Sequence, residues 1–187
     1  QTCALPIYHA GVLARSSLDC AAVMQAISAP DLQDDRSSAR PDFTKLRDMK
    51  GLRIGLMANY FGGDVETDAE TTKAIQSACD VFRKLGAEVR DVTIPPLSHF
   101  SEAGVLISRC EAYALHEANL RKAPELYSET SRTRLMLGAL IRAADYINAQ
   151  RHRTVLLQKM AEIHTQFDLL IGPTVPTAAP PLELEKD

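Results

Sequence analysis

Apolar and polar residues alternate at 52–56, and a second run rich in strand-forming residues follows at 87–94. This pattern predicts two short strands, the first of them half-buried. Pro95-Pro96 ends the second strand, because proline cannot donate a hydrogen bond to a sheet. The segment between the two runs is long enough for a helix, so the strands should lie parallel with a right-handed crossover. The pattern indicates an α/β fold.

The segment between these strands predicts an amphipathic helix. Thr67 and Glu70 have the spacing of a capping box, in which each side chain accepts a hydrogen bond from the other residue's backbone amide. Apolar residues recur on one face at Ile75, Ala78, Phe82 and Leu85. Gly86 follows, and glycine tolerates the positive φ with which many helices end.

A shorter helix is predicted near the start of the chain. Ser16 is its candidate N-cap, and Asp19 lies in the first turn, where a negative charge suits the helix dipole. Its apolar stripe, which we expect to be buried, consists of Cys20, Val23, Met24 and Ile27. The polar stretch 29–50 then predicts a long surface connection.

The second half of the chain predicts helices at 98–120, 129–140 and 143–165. The last two segments are compatible with two separate helices or with one bent helix. The final helix has an apolar seam of Leu156, Met160, Ile163 and Phe167. The short apolar run 168–172 is bounded by polar residues and proline, which favours a buried strand.

This last strand leads into the best candidate for a binding loop. Pro173 and Pro176 prevent the segment from continuing any regular element. Ligands of open α/β sheets collect where the carboxyl ends of the strands open into loops. We therefore expect Thr174, Val175 and Pro176 to contact a substrate. A rigid surface turn is the alternative interpretation of the same residues.

Composition and charge are those of an ordinary globular protein, with 45% hydrophobic residues, 24% charged residues and a formal net charge of −3. A charge this small gives no electrostatic case for binding nucleic acid or an anionic membrane. The apolar runs are far shorter than the ~20 residues that span a bilayer. The four cysteines form no CxxC pair, which favours reduced thiols in a cytoplasmic protein over disulfide pairing or metal binding.

The residues alone carry little recognisable catalytic machinery. The five histidines are scattered without metal-ligand spacing, so neither a metal nor another cofactor is predicted. Gly62-Gly63 follows a strand, but no phosphate-binding motif surrounds it, and Asp64 would repel phosphate. A turn is the favoured role. The pairs Ser16-Ser17 and Ser37-Ser38 do not lie in a nucleophile elbow, and capping or loop hydrogen bonds explain them.

The first eight residues are predicted to be foreign to the protein. Back-translation of QTCALPI reproduces the end of a common sequencing adapter, and Tyr8 fits a hybrid codon at the junction. We therefore expect residues 1–8 to be an artefact and the natural sequence to begin at His9, so that 9–187 is the part relevant to fold. Mass spectrometry of the native protein tests this, because a natural peptide containing Gln1 to Tyr8 would contradict it.

Several short motifs, in order along the chain, resemble the amidase signature family. The segment HAGVLARS at 9–16 resembles the family's segment after its nucleophile region, although Val12 stands where the family more often has proline. The other matches are GLRIG at 51–55, LGAEV at 85–89, Glu111-Ala112 with His116, the group Arg132, Arg134, Leu135, Gly138 and Tyr146, and the segment 168–176 with its DLL and PTVP elements. Six weak matches in the family's order form a specific signal together.

This resemblance implies an α/β fold with a partial mixed β-sheet covered by helices, as in the C-terminal half of the amidase signature fold. It also implies hydrolysis of the C–N bond of a small carboxamide, with a serine nucleophile, a second serine in a cis peptide bond and a lysine base. No position of this chain matches those three residues. The chain therefore resembles only the C-terminal portion of such an enzyme, and it should be inactive alone.

Two alternative functions remain open. Within the family, the alternative is the amidase-like A subunit of a glutamine-dependent aspartyl/glutamyl-tRNA amidotransferase, which needs partner chains. Outside it, the chain is a non-catalytic α/β ligand-binding or interaction module. The amidase interpretation predicts a small amide as the ligand and no direct contact with nucleic acid or membrane. It also allows a homodimer. Solubility and a cooperative melt of the isolated chain would favour the module.

Overall fold

The structure is a computed structural model that describes residues 11–28, 30 and 48–179. It divides into two compact units, 1–48 and 49–187. The predicted artefact at 1–8 and most of the predicted connection at 29–50 lie outside the described residues. No helix in the described part of the chain combines the length and the apolar character needed to cross a membrane.

The first unit contains one described helix, α1 (Ser17–Ile27). Ser16 caps it as predicted, because its Oγ accepts a hydrogen bond from the backbone N–H of Asp19 at 3.1 Å. The expected burial of the apolar stripe is wrong, since no residue of α1 is buried. An apolar stripe predicts a helix correctly, but its burial needs a surface to pack against.

The second unit contains a three-stranded sheet in the order β2-β1-β3. The strands are β1 (Arg53–Met57), β2 (Glu88–Val92) and β3 (Leu169–Ile171). Both neighbours of β1 run parallel to it, which confirms the predicted parallel pair and the α/β class. The resemblance implies a mixed sheet, whereas all three described strands are parallel, because helices connect them and return the chain to the same edge.

The central strand β1 is more buried than its alternation predicts. Ile54 and Leu56 are almost fully buried, and Gly55 between them is buried as well. A Cβ at Gly55 would lie 2.8 Å from both Leu170 Cδ2 and Val92 Cγ1. Neighbouring side chains therefore occupy the space on the face where Gly55 lies, and the strand is covered on both faces.

The helix α2 (Ala69–Lys84) connects β1 to β2 and begins one residue later than the capping box predicts. Asp68 is its N-cap, since Oδ1 accepts from the N–H of Thr71 at 2.6 Å. The Thr67 hydroxyl instead donates to the Val65 carbonyl at 3.2 Å. The predicted role of Gly86 is confirmed by its φ of 91° just beyond the helix.

The remaining helices are α3 (Leu97–Lys122), α4 (Glu129–Met136) and α5 (Ala143–Gln166). A 3₁₀ turn at Leu137–Leu140 separates α4 from α5, so the two-helix interpretation is confirmed. α3 packs against α5, and the buried side chains of these two helices are Ala103, Ile107, Leu120, Ala149 and Leu156. The short apolar run after α5 is a strand as predicted. Its expected burial is wrong, because Leu169 is half exposed and the other two residues of β3 are only partly buried.

An ion pair joins the beginnings of β1 and β3. The Arg53 guanidinium donates to the Asp168 carboxylate through Nη2 at 2.7 Å and Nε at 3.1 Å, and the Arg53 backbone N–H donates to the same carboxylate at 2.9 Å. These hydrogen bonds, led by those from the guanidinium, lower the pKa of Asp168 to about 2. Arg53 Nη1 also donates to the Thr165 carbonyl at 3.1 Å.

We expect Asp168→Asn to lower the melting temperature near neutral pH, because the charged partner of Arg53 is lost. The folded pKa lies below the unfolded value of about 3.9, so the ion pair stabilises the wild type above about pH 4. This advantage should disappear as the pH falls through about 2. Melting curves across this pH range measure the difference in melting temperature between the wild type and Asp168→Asn. Asp80→Asn is the control, because Asp80 also pairs with an arginine. A constant difference between wild type and Asp168→Asn down to the lowest pH would contradict the assignment.

Candidate functional site

The carboxyl ends of the three parallel strands open at one edge of the sheet, which we call the carboxyl edge. The segments that leave the strands there are 58–64 after β1, 93–96 after β2 and 172–178 after β3. The first segment contains a π-helical turn at Tyr60–Asp64, and this element is the turn predicted at Gly62-Gly63. The sheet order places the ends of β2 and β3 on either side of β1.

Asn59 ties the end of β1 to the end of β2. Its Oδ1 accepts from the Ile94 N–H at 3.0 Å, while its Nδ2 donates to the Ile94 carbonyl at 3.1 Å. Both backbone groups of Ile94 are thus bonded to one side chain. The amide extends the hydrogen-bonding pattern of the sheet beyond the last paired residues.

Asp64 connects the π-helical turn to the beginning of α3. Its Oδ2 accepts from the Asn59 amide at 3.1 Å and from the Leu97 N–H at 3.0 Å. α3 has no side-chain cap from its own N-cap residue, Pro96, so Asp64 satisfies one of the free N–H groups of its first turn. The carboxylate has a structural role here.

The loop after β3 comes close to β1 and then turns outward. A Cβ at Gly172 would lie 2.5 Å from Met57 Cε, so only glycine fits beside the end of β1 without movement of Met57. Pro173 is buried, whereas Thr174 and Val175 are exposed. The predicted contact residues therefore include two side chains that face open space at the carboxyl edge.

Asp68 fixes the far end of this loop to the beginning of α2. Its backbone N–H donates to the Pro176 carbonyl at 3.1 Å, and its Oδ2 accepts from the Ala178 N–H at 3.0 Å. Its other oxygen caps α2 through Thr71. The hydrogen bonds from Thr71 and the bond from Ala178 lower the pKa of Asp68, so the carboxylate stays charged at neutral pH. Sequence reasoning missed this residue, although aspartate one position before a helix is a strong N-cap signal.

The resemblance motifs outside the sheet form contacts among the helices. The Tyr146 hydroxyl donates to Glu111 at 3.3 Å, and the Gln150 amide donates to that hydroxyl at 2.9 Å. His116 Nδ1 lies 3.0 Å from the Tyr127 hydroxyl. These residues hold α3 and α5 together and fix the segment before α4, and they are distant in sequence from the loop at 173–178.

Two pockets lie between α3 and α5, away from the predicted loop. The larger, of about 400 Å³, is lined by Glu102, Ala103, Leu106, Leu140, Ile141, Asp145, Asn148, Ala149 and His152. The smaller, of about 220 Å³, is lined by Phe100, Ala103, Gly104, Arg153, Leu156, Leu157 and Met160. Neither lining includes Thr174, Val175 or Pro176, so their contact with a substrate stays a prediction.

Two lining residues of the larger pocket, Asp145 and His152, contact side chains outside it. Arg142 donates to Asp145 through Nε at 2.8 Å and Nη2 at 2.9 Å, and these bonds lower the pKa of Asp145. The rings of His99 and His152 meet edge to face at 5.4 Å. Across the described ranges, no group of three or more His, Cys, Asp or Glu side chains is placed to hold a metal ion.

Comparisons with known proteins point to one family. The family model described as Amidase matches residues 2–187. An amidase of Pseudomonas putida is 36% identical over 175 residues, which cover 91% of this chain and 37% of that protein. The A subunit of the glutamyl-tRNA(Gln) amidotransferase of Chromohalobacter salexigens is 30% identical over 205 residues, covering 95% of this chain and 42% of that protein. The chain thus spans about two fifths of the length of these relatives.

Solved structures show the same similarity. A bacterial aryl acylamidase of the amidase signature family superposes with a TM-score of 0.71 and 26% identity, covering 87% of this chain and 35% of that one. An inhibitor-bound structure, from a vestigial complex described as revealing the origins of an s-triazine catabolic enzyme, superposes with a TM-score of 0.78 and 28% identity. That match covers 92% of this chain and 37% of the other.

Proposed function

This chain belongs to the amidase signature family, and on that basis we propose that it is part of an amidase that hydrolyses the C–N bond of a small carboxamide. The observation that carries the proposal is the loop 173–178, which is fixed at both ends at the carboxyl edge. Open α/β sheets bind their ligands at this edge. The loop thus supplies one wall of the amide pocket.

The proposed chemistry is acyl transfer to serine followed by hydrolysis. A serine oxygen attacks the amide carbon while a second serine, in a cis peptide bond, relays the proton of the first to a neutral lysine. The proton then passes from the lysine to the amide nitrogen, and the C–N bond breaks with release of ammonia. Backbone N–H groups stabilise the oxyanion, and water then releases the acid. The two serines and the lysine have no match in this chain, so the proposal assigns them to the part of the full-length protein that corresponds to the unmatched length of the relatives.

Within this mechanism the loop residues orient and select the substrate. Val175 exposes 59% of its surface and offers an apolar contact to the acyl group of the amide. Thr174 is exposed beside it and offers a hydroxyl, and Pro176 is held by the bond from Asp68 to its carbonyl. A rigid apolar wall discriminates among acyl groups by size.

The experiment that tests the proposal is release of ammonia from a series of amides by the full-length protein as its source encodes it. Wild type is expected to hydrolyse small carboxamides. Val175→Trp fills space at the loop, so we expect the ratio of kcat/KM for bulky against small amides to fall on the order of tenfold.

Val155→Trp is the matched control, because Val155 is a similarly exposed valine on the surface of α5. If no carboxamide is hydrolysed, the proposed activity is wrong. If amides are hydrolysed but both tryptophan variants retain wild-type selectivity, the activity stands and the assignment of the loop is wrong.

A second candidate function is that of an amidotransferase A subunit. The 30% identity to one such protein, which extends over 95% of this chain, favours it. This function predicts that the full-length protein co-purifies with partner chains from its source and amidates glutamyl-tRNA(Gln) only when glutamine is supplied. Efficient hydrolysis of simple amides by the isolated protein, with no activity on the charged tRNA, would decide for the amidase.

A further inference from the structure

We propose that Asp68 is a positioning residue that holds the loop 173–178 against the beginning of α2 and thereby sets the shape of the amide pocket. The inference rests on the amidase function proposed above and assigns the specificity of that site to a residue outside the loop. Asp68 lies in a different part of the chain, separated by 110 residues from Ala178. Its role is visible only in the folded structure.

Every polar group of Asp68 takes part in a hydrogen bond. The backbone N–H donates to the Pro176 carbonyl, Oδ2 accepts from the Ala178 N–H, and Oδ1 accepts from the Thr71 N–H. The Asp68 carbonyl accepts from both the backbone N–H and the hydroxyl of Thr72, each at 3.0 Å. The first turn of α2 therefore holds Asp68 in place, and Asp68 in turn holds the loop.

The helix alone does not require aspartate at this position. Serine and asparagine cap helices about as well as aspartate, because one side-chain oxygen is sufficient for the cap. A carboxylate differs in having acceptor oxygens on both sides. The second oxygen of Asp68 serves the loop, since it binds the Ala178 N–H. The choice of aspartate thus has an explanation beyond capping.

The two ends of the loop are consequently immobilised on different elements. Gly172 lies against Met57 at the end of β1, and Pro176 and Ala178 are bonded to Asp68 at the beginning of α2. Only a few residues separate these anchors, and they include the exposed Val175. A wall held at both ends selects substrates more sharply than a loose loop, because its geometry is fixed before the substrate arrives.

Asp68→Asn separates the two functions of the side chain. The asparagine oxygen can still cap α2, but its NH₂ group then faces the Ala178 N–H, and two donors cannot bond. We expect a urea midpoint close to that of the wild type, exchange of the Ala178 amide hydrogen accelerated on the order of tenfold, and a change on the order of tenfold in the bulky-to-small ratio of kcat/KM. The substitution should change KM more than it changes kcat.

Asp68→Ser is the second variant, because it also keeps a cap and removes the second acceptor. Ser128→Ala is the matched control. Ser128 caps α4 by accepting from the Ser131 N–H at 3.2 Å, so this variant loses a cap without releasing the loop. Ser128→Ala should leave both the exchange at Ala178 and the selectivity for amides unchanged.

Wild-type exchange at Ala178 in both Asp68→Asn and Asp68→Ser would overturn the proposal, because the loop would not depend on the carboxylate. Faster exchange with unchanged selectivity would also overturn it, since the loop would then not shape the pocket. If the wild-type protein hydrolyses no amide, the amidase function fails by itself. The exchange rates are measured without substrate and still decide whether Asp68 holds the loop.

Discussion

Gly138→Ala is expected to lower the free energy of unfolding by about 3 kcal/mol, the upper end of what overpacking usually costs. Gly138 is buried in the turn between α4 and α5. A Cβ there would overlap the backbone carbonyl oxygen of Arg109 and lie 2.6 Å from Tyr113 Cβ. The first of these neighbours is backbone, so α3 itself would have to move. Urea unfolding of wild type and variant measures the difference.

Gly104→Ala is the matched control, because it adds the same methyl group to an exposed position of α3. A Cβ at Gly104 meets no atom within 4 Å beyond its chain neighbours and the backbone of its own helix. Alanine favours a helix interior over glycine, so this variant should gain about 0.5 to 1 kcal/mol. If Gly138→Ala were as stable as Gly104→Ala, the close approach of the turn to α3 would be wrong.

Phe167→Ala is expected to cost about 3–5 kcal/mol, because it removes a buried ring and leaves a cavity. Phe167 is only 5% exposed and lies between α5 and β3. Its Cδ1 lies 3.1 Å from the position of a Cβ at Gly55, and the Arg90 guanidinium lies 5.4 Å from the ring centroid. The ring thus contacts the central strand and covers part of its surface.

Urea unfolding again provides the measurement. Phe167→Leu keeps much of the side-chain volume and should lose less than Phe167→Ala. Val81→Ala, at an exposed position of α2, should stay within about 0.5 kcal/mol of the wild type. A loss for Phe167→Ala no larger than that for Val81→Ala would show that the ring contributes little to this core.

The sequence predicted the elements that depend on local patterns. The alternation at 52–56 and the helical spacing at 75–85 placed β1 and α2 within a few residues, and Gly86 ended the helix as expected. Parallel pairing followed from the length of the connection between β1 and β2. These features depend on periodicity and on backbone preference, which neighbouring residues determine.

The contacts that shape the candidate site were not predictable in this way. The capping box at Thr67 was a sound local interpretation, yet Asp68 is the cap, and its second carboxylate oxygen bonds to Ala178 far along the chain. The cap had a local signal, whereas the bond to Ala178 had none. The two bonds from Asn59 to Ile94 likewise join segments that no local pattern relates. The prolines of the segment 173–176 predicted a loop, but they did not predict the groups that hold it.

The long sequence separation of these contacts has a consequence for the order of folding. β1, α2 and β2 are contiguous in sequence and can associate early, whereas the contact of Arg53 with Asp168 closes a separation of 115 residues. Contacts between distant segments form late, since the chain must first lose the entropy of the intervening loop. The ribosome also makes β3 and its loop last among these elements. We therefore expect the candidate site to be assembled in the final step of folding. Slow or interrupted folding would then leave formed helices without the loop 173–178 in its place.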